Sequence, residues 1–172
     1  MNYFELFGLP VQLKTDKKAI KRRYLELSKK NHPDYFVNTS VEEQQKAEES
    51  FALLNQGLKT LTADDETIKY VLKLKGLVEE EEKYTLSPGF LMQMMEINEQ
   101  LAEMEFEEDP AKKVELLQSL NELEKEIYEP VENIIENYKE GVTSEEELLQ
   151  VKDYYFKKKY INRLRQQLGG KL

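Results

Sequence analysis

Apolar residues recur every three to four positions along most of this chain, and the interruptions mark where its helices start and stop. Ile20, Tyr24 and Leu27 stand at i, i+4 and i+7, one stripe of a helix that should begin at a Thr15 cap and end near Asn31. Pro33 lacks the N–H a helix needs and disfavours helical geometry at His32. Ala47, Phe51, Leu54, Leu58 and Leu61 make a second stripe, opened by Ser40 and Glu43 at capping-box spacing. Two helices of similar length around a short connection predict an antiparallel hairpin. Before it, Tyr3-Phe4-Glu5-Leu6-Phe7 reads as a short apolar turn or helix ended by Gly8 and Pro10. After it, a helix from Asp64 to Lys75 should bury Ile68, Val71, Leu72 and Leu74, with Gly76 as its stop.

Four consecutive glutamates, Glu79 to Glu82, break this rhythm and suggest a boundary. Beyond them Ser87-Pro88 and Asp109-Pro110 each pair an N-cap with an N1 proline, and Ser144 with Glu147 repeats the capping-box spacing. These signals predict helices over 88–107, 110–140 and 144–168, the middle one kinked at Pro130. The fold class expected is all-α: an N-terminal domain over 1–76 built from a helical hairpin plus short helices, a linker over 77–86 and a three-helix bundle over 87–172.

Composition narrows the function more than the fold. The chain has no cysteine and one histidine, so thiolate metal sites, disulfides and a cysteine nucleophile are out. A net charge of −9 disfavours non-specific nucleic-acid binding. No apolar run is long enough to cross a bilayer, and the first residues lack the pattern of a signal or transit peptide, so the expected location is cytoplasmic. Charge is also segregated. Lys14 to Lys30 holds eight Lys or Arg against Asp16 and Glu26, while Glu79 to Asp109 holds eleven acids against Lys83. Two oppositely charged surfaces suit two partners, although two solvated helix faces would look the same.

His32-Pro33-Asp34 is the one local motif whose context adds meaning. Proline stiffens the loop between the paired helices and would present Asp34 to accept charge-assisted bonds from a partner arginine. Lys18, Arg22 and Lys29, flanked by Lys21, Arg23 and Lys30, line the outer face of the preceding helix and would steer an acidic surface. The plainer reading is a helix stop and a chain reversal. Catalysis by a His32/Asp34 pair lacks a nucleophile, an oxyanion site and a second histidine, so no catalytic residue is assigned and no enzyme is expected.

Residues 1–75 resemble a J domain, and the whole chain resembles the HscB family, J-type co-chaperones of iron–sulfur cluster assembly. The resemblance rests on Asn2-Tyr3-Phe4-Glu5-Leu6-Phe7-Gly8-Leu9-Pro10, the basic helix, His32-Pro33-Asp34-Tyr35-Phe36, and Leu54-Asn55-Gln56-Gly57-Leu58-Lys59-Thr60-Leu61. In the second half it rests on Phe90-Leu91-Met92-Gln93-Met94-Met95-Glu96 leading into Glu99 and Glu103. It implies that His32, Pro33 and Asp34, supported by Lys21, Arg22, Arg23, Lys29 and Lys30, dock on an HscA/DnaK-type chaperone and trigger its ATP hydrolysis. It further implies that Leu91, Met92, Met95, Glu96, Glu99, Glu103 and Phe156 bind an IscU-type scaffold protein, with no cofactor and no metal. Some eukaryotic members carry a cysteine-rich zinc module and a targeting segment; neither pattern is present, which points to a bacterial-type form.

The residues of the second patch support two readings by themselves. Leu91 and Met95 lie at i and i+4, and Met92, Glu96, Glu99 and Glu103 continue the face, as in a polar-rimmed interface. Alternatively Leu91, Met92 and Met95 belong to the core together with Phe90, Met94, Ile97 and Leu101. Two further rivals stay open: a J-domain co-chaperone with a different client, and a helical adaptor without a chaperone.

Overall fold

A computed structural model describes residues 1–169, and the described residues are all-α, without a strand. They form two compact units: Met1–Lys75 with Glu136–Thr143, and Gly76–Ile135 with the chain from Ser144 onward. The last three residues of the expected bundle lie outside the described residues.

In the first unit α1 spans Tyr3–Leu6, α2 Lys17–Asn31, α3 Val41–Leu61 and α4 Asp64–Leu74. The cap of α2 is Asp16, whose carboxylate accepts from Lys18 and Ala19 N–H, and not Thr15. Thr15 instead donates its hydroxyl to the Leu61 carbonyl at 2.5 Å, tying the start of α2 to the end of α3. Tyr24 donates to Asn55 at 2.5 Å and His32 packs on Phe51, so rising numbers on α2 meet falling numbers on α3. The hairpin is antiparallel. Its interior buries Ile20, Ala47, Leu54 and Leu61, whereas Leu74, expected inside, is exposed.

Gly57 explains how α1 reaches this core. It is buried on α3, and a methyl group there would come within 2.7 Å of the Phe7 ring. Tyr3 stacks on Tyr70 of α4 at 4.6 Å and donates its N–H to the Tyr70 hydroxyl at 2.9 Å. Phe4 and Phe7 are thereby fully buried. The same unit takes in Glu136–Thr143: Glu136 pairs with Lys14 at 3.3 Å, and Lys75 pairs with Glu140, which also accepts from the Tyr138 hydroxyl at 2.6 Å. The Lys75–Glu140 bond raises the Lys75 ammonium above its ordinary range and lowers the Glu140 carboxyl.

In the second unit α5 spans Pro88–Phe106, α6 Pro110–Tyr128 and α8 Glu145–Gln167; α7, Glu132–Glu136, belongs to it except for its last residue. The helix expected over 110–140 is interrupted at Pro130, as expected, but its helical run ends at Glu136. Pro130 has no N–H to donate and its ring crowds the carbonyl four residues back, so α6 stops at Tyr128 and a 3₁₀ turn, Glu129–Val131, leads into short α7. Ser144 and Glu147 form the full capping box of α8. One core joins the three long helices: Phe90, Met94 and Ile97 from α5, Leu116, Leu120 and Leu123 from α6, Ile161, Leu164 and Leu168 from α8 and its end. Arg165 is buried beside it, satisfied by Asn162 and Asn121 and by Glu124 at 3.5 Å, which Lys158 also approaches.

Residues 77–86, expected as a linker, run along α8. Val78 is buried, Glu82 pairs with Lys152 at 2.8 Å, and Tyr84 donates to Asp153 at 2.8 Å while stacking on Phe156. Burial, then the hydrogen bond to Asp153 and the charges of Asp153 and Glu82, push the Tyr84 hydroxyl from 10.0 up to about 12.

Two consequences are measurable. Gly57→Ala should lower the thermal midpoint, because crowding the Phe7 ring costs about 1–3 kcal/mol and outweighs the helix-propensity gain of at most about 1 kcal/mol. An unchanged midpoint would mean that the ring has room to move. For Tyr84 the sign follows from a raised folded pKa: its stabilisation is complete below pH 10 and is lost as pH rises through about 12. The stability difference between wild type and Tyr84→Phe should therefore shrink over that window in alkaline denaturation; parallel curves would contradict it.

Candidate functional site

The turn between α2 and α3 is built by its own sequence. Asn31 closes α2 by donating its amide to the Leu27 carbonyl at 2.8 Å. His32 is extended, with φ −63° and ψ 129°, as a residue before proline must be. Pro33 then opens a 3₁₀ turn, Pro33–Phe36, in which the Tyr35 N–H donates to the His32 carbonyl at 3.0 Å. His32 Nδ1 accepts the Asp34 N–H at 3.2 Å, leaving the proton of the neutral ring on Nε2. The imidazole edge rests on Phe51 at 5.1 Å and faces Tyr35 at 6.2 Å.

The imidazole is thus used to hold the loop. The Asp34 carboxylate lies 3.5 Å from Nδ1, and with Nδ1 already accepting a hydrogen bond this proximity is not an ion pair unless the ring is protonated. The Asp34 side chain is 84% exposed. A carboxylate open to solvent, on a backbone held by the turn, is what this segment offers.

Lys21, Arg22, Lys29 and Lys30 are exposed along α2 and make no ion pair among the described residues. Arg23 differs. Its Nε donates to the Phe7 carbonyl at 3.0 Å and its Nη1 meets Glu26 at 3.0 Å, so this guanidinium clips the N-terminal segment onto α2. Gly8, at φ +69°, makes room for it: a side chain there would stand 3.2 Å from Arg23 Nη2. No sequence pattern distinguished Arg23 from its neighbours, because its partner is a backbone carbonyl far away in the chain.

On α5 the two readings of the second patch separate cleanly. Phe90, Met94 and Ile97 are in the core; Met92 and Met95 are 65% and 60% exposed and Leu91 37%. Glu96, Glu99 and Glu103 are exposed on the same side as Met92. Leu91 and Phe156 line one shallow groove, walled by Leu86 and Tyr160 and bordered by Lys159 and Arg163. Phe156 itself is half-buried, stacked on Tyr84 at 4.6 Å and 8° and edge-on to Tyr155 at 5.1 Å. Lys159 sits over the Phe156 ring at 5.9 Å and Arg163 over Tyr160 at 5.4 Å. Tyr84 and Arg163 escaped the sequence reading; the i, i+4 spacing of Lys159 and Arg163 beside Phe156 and Tyr160 was the available signal.

Comparison with known proteins agrees with this arrangement. Residues 2–70 match the DnaJ domain family model, and residues 86–169 match the HSCB C-terminal oligomerisation domain. The co-chaperone protein HscB homolog of Shewanella woodyi is 32% identical over 170 residues, covering 98% of this chain and 95% of that one. The homolog from Vibrio cholerae is 37% identical over 111 residues, an alignment spanning 64% of this chain and 65% of the relative's length. Among solved structures, chaperone HscB from Vibrio cholerae superposes with a TM-score of 0.76 at 28% identity, covering 98% of this chain and 96% of that one. Human co-chaperone protein HscB gives 0.82 at 28% identity, with 98% and 81% covered. With both halves matched and a relative above 30% identity along nearly its whole length, the chain belongs to the HscB family of J-domain co-chaperones.

Proposed function

We propose that this chain stimulates the ATPase of an HscA/DnaK-type chaperone and delivers an IscU-type iron–sulfur scaffold protein to it, acting in the cytoplasm without catalysis of its own. The observation that carries the first half is the exposed Asp34 carboxylate, on a backbone held by His32 and Pro33, together with Lys21, Arg22, Lys29 and Lys30, which are exposed and make no ion pair among the described residues. An exposed carboxylate accepts charge-assisted bonds from a chaperone arginine, and the basic row draws the acidic surface around it into register. Arg23 contributes by holding the N-terminal segment. The division of labour follows the domains, 1–76 for the chaperone and 87–172 for the client.

The scaffold-binding half rests on Met92 and Met95, adaptable apolar side chains left in solvent and bordered by Glu96, Glu99 and Glu103. Leu91 and Phe156 extend the apolar area into the neighbouring groove. Holding scaffold and chaperone at once raises the effective concentration of one at the other, so hydrolysis traps this client in preference to others. A co-chaperone for another client would use the same turn and differ only at this patch. Among the described residues no helix is long and apolar enough to cross a membrane.

Asp34→Asn should cut stimulation of the chaperone ATPase by about tenfold or more, the worth of one charged hydrogen bond, with circular dichroism unchanged. Undiminished stimulation by a folded variant would remove the role assigned to the carboxylate. Met92→Ala with Met95→Ala should weaken scaffold affinity in calorimetry by about tenfold or more, with a thermal midpoint within error of wild type because neither side chain is buried. Intact ATPase stimulation together with no scaffold binding by the wild-type protein would favour the different-client reading.

A further inference from the structure

Phe106 is the most exposed large apolar residue of the described chain, 92% accessible at the last position of α5. A single exposed aromatic is unremarkable by itself. Its register is what matters. Met92, Glu96, Glu99, Glu103 and Phe106 follow one another at steps of four, three, four and three, the path of one helix face. All five are exposed, while Phe90, Met94 and Ile97 on the opposite face are buried and Leu101 and Met104 are partly so. The stripe is apolar at both ends and anionic in between, and fourteen residues at 1.5 Å each separate the ends by about 21 Å.

We infer that Phe106 is a second apolar anchor for the scaffold partner, so that the client surface carries a cationic strip between two apolar contacts about 21 Å apart. This rests on the scaffold-binding reading given above and carries its apolar part on α5 from Met95 to Phe106. Three carboxylates in a row, none with an ion-pair partner among the described residues, call for a cationic counterpart. Helix-in-groove recognition commonly spaces its anchors along such a stripe. Nothing in the sequence neighbourhood flagged Phe106, since it is embedded in the acidic run Glu103-Met104-Glu105-Phe106-Glu107-Glu108-Asp109 and stands apart from the apolar cluster of Leu91, Met92 and Met95.

The test measures the affinity of a purified IscU-type scaffold protein for the full chain by calorimetry, at low and at high salt, alongside sedimentation of the chain alone. Phe106→Ala should weaken binding by about five- to tenfold, by the same factor at both salt concentrations, and Phe106→Leu should restore most of the loss. Glu99→Gln should weaken binding at low salt and much less at high salt. Neither should change the thermal midpoint. If Met92→Ala weakens binding and Phe106→Ala does not, the second anchor is wrong while the scaffold reading stands; if wild type fails to bind the scaffold, both fall together. A loss of self-association in Phe106→Ala without loss of scaffold affinity would assign the residue to a second copy of this chain and overturn the inference.

Discussion

Burial of one stripe of α2 against α3 governs everything the first unit presents to solvent. Once Ile20 is inside and Tyr24 reaches Asn55, the rotation of α2 about its axis is set, and Lys21, Arg22, Lys29 and Lys30 have nowhere to go but outward. The same packing holds the two ends of the connection at a fixed separation. Within that span Pro33 and the His32 ring hold the Asp34 backbone in place, with its carboxylate in solvent. The electrostatics of the surface are thus a by-product of a hydrophobic contact on the other side of the helix. Arg23 shows the limit of that logic: one basic residue of the run is spent internally, on the Phe7 carbonyl, and α1 stays closed over the core.

The second unit obeys a different constraint. Its net-acidic α5 must put enough apolar area inward to pack on α6 and α8, and Phe90, Met94 and Ile97 do so. Those three positions leave Leu91, Met92 and Met95 on flanking and opposite sides, where no other helix covers them fully. The polar side of α8 is handled by pairing: Lys152 with Glu82, Lys157 with Asp153, Lys158 and Arg165 with Glu124. Lys159 and Arg163 are set over aromatic rings instead. That distribution gives the Leu91–Phe156 groove a cationic border beside the anionic stripe of α5, two charge characters within one surface.

Much of this was legible beforehand because local rules and the tertiary fold agree. Asn31 ends α2 where proline demands, Ser144 and Glu147 start α8, and the α2 and α3 stripes bury Ile20, Ala47, Leu54 and Leu61. The misreadings are also physical. Thr15 and Asp16 are both good caps, and the choice fell to Asp16 because the Thr15 hydroxyl had a partner across the hairpin at Leu61. The helical run through Pro130 ends at Glu136 and not at 140, and Glu136 and Glu140 pair with Lys14 and Lys75. Leu74 is the last residue of α4, where a periodic pattern no longer specifies a neighbour.

The order of polar and apolar residues by itself determined the helical class, the element starts and stops, and the stiff turn carrying His32, Pro33 and Asp34, because caps, prolines and 3.6-residue periodicity act within a few residues of one another. Only the tertiary structure decided which side of α5 faces the core, that Arg23 points inward, that Tyr84 covers Phe156, and that Phe106 stays in water. Such outcomes depend on residues distant in the chain, as Phe7 is from Arg23 and Phe156 from Tyr84, and burial between distant segments is settled by packing, where an amphipathic pattern alone allows more than one face to turn inward.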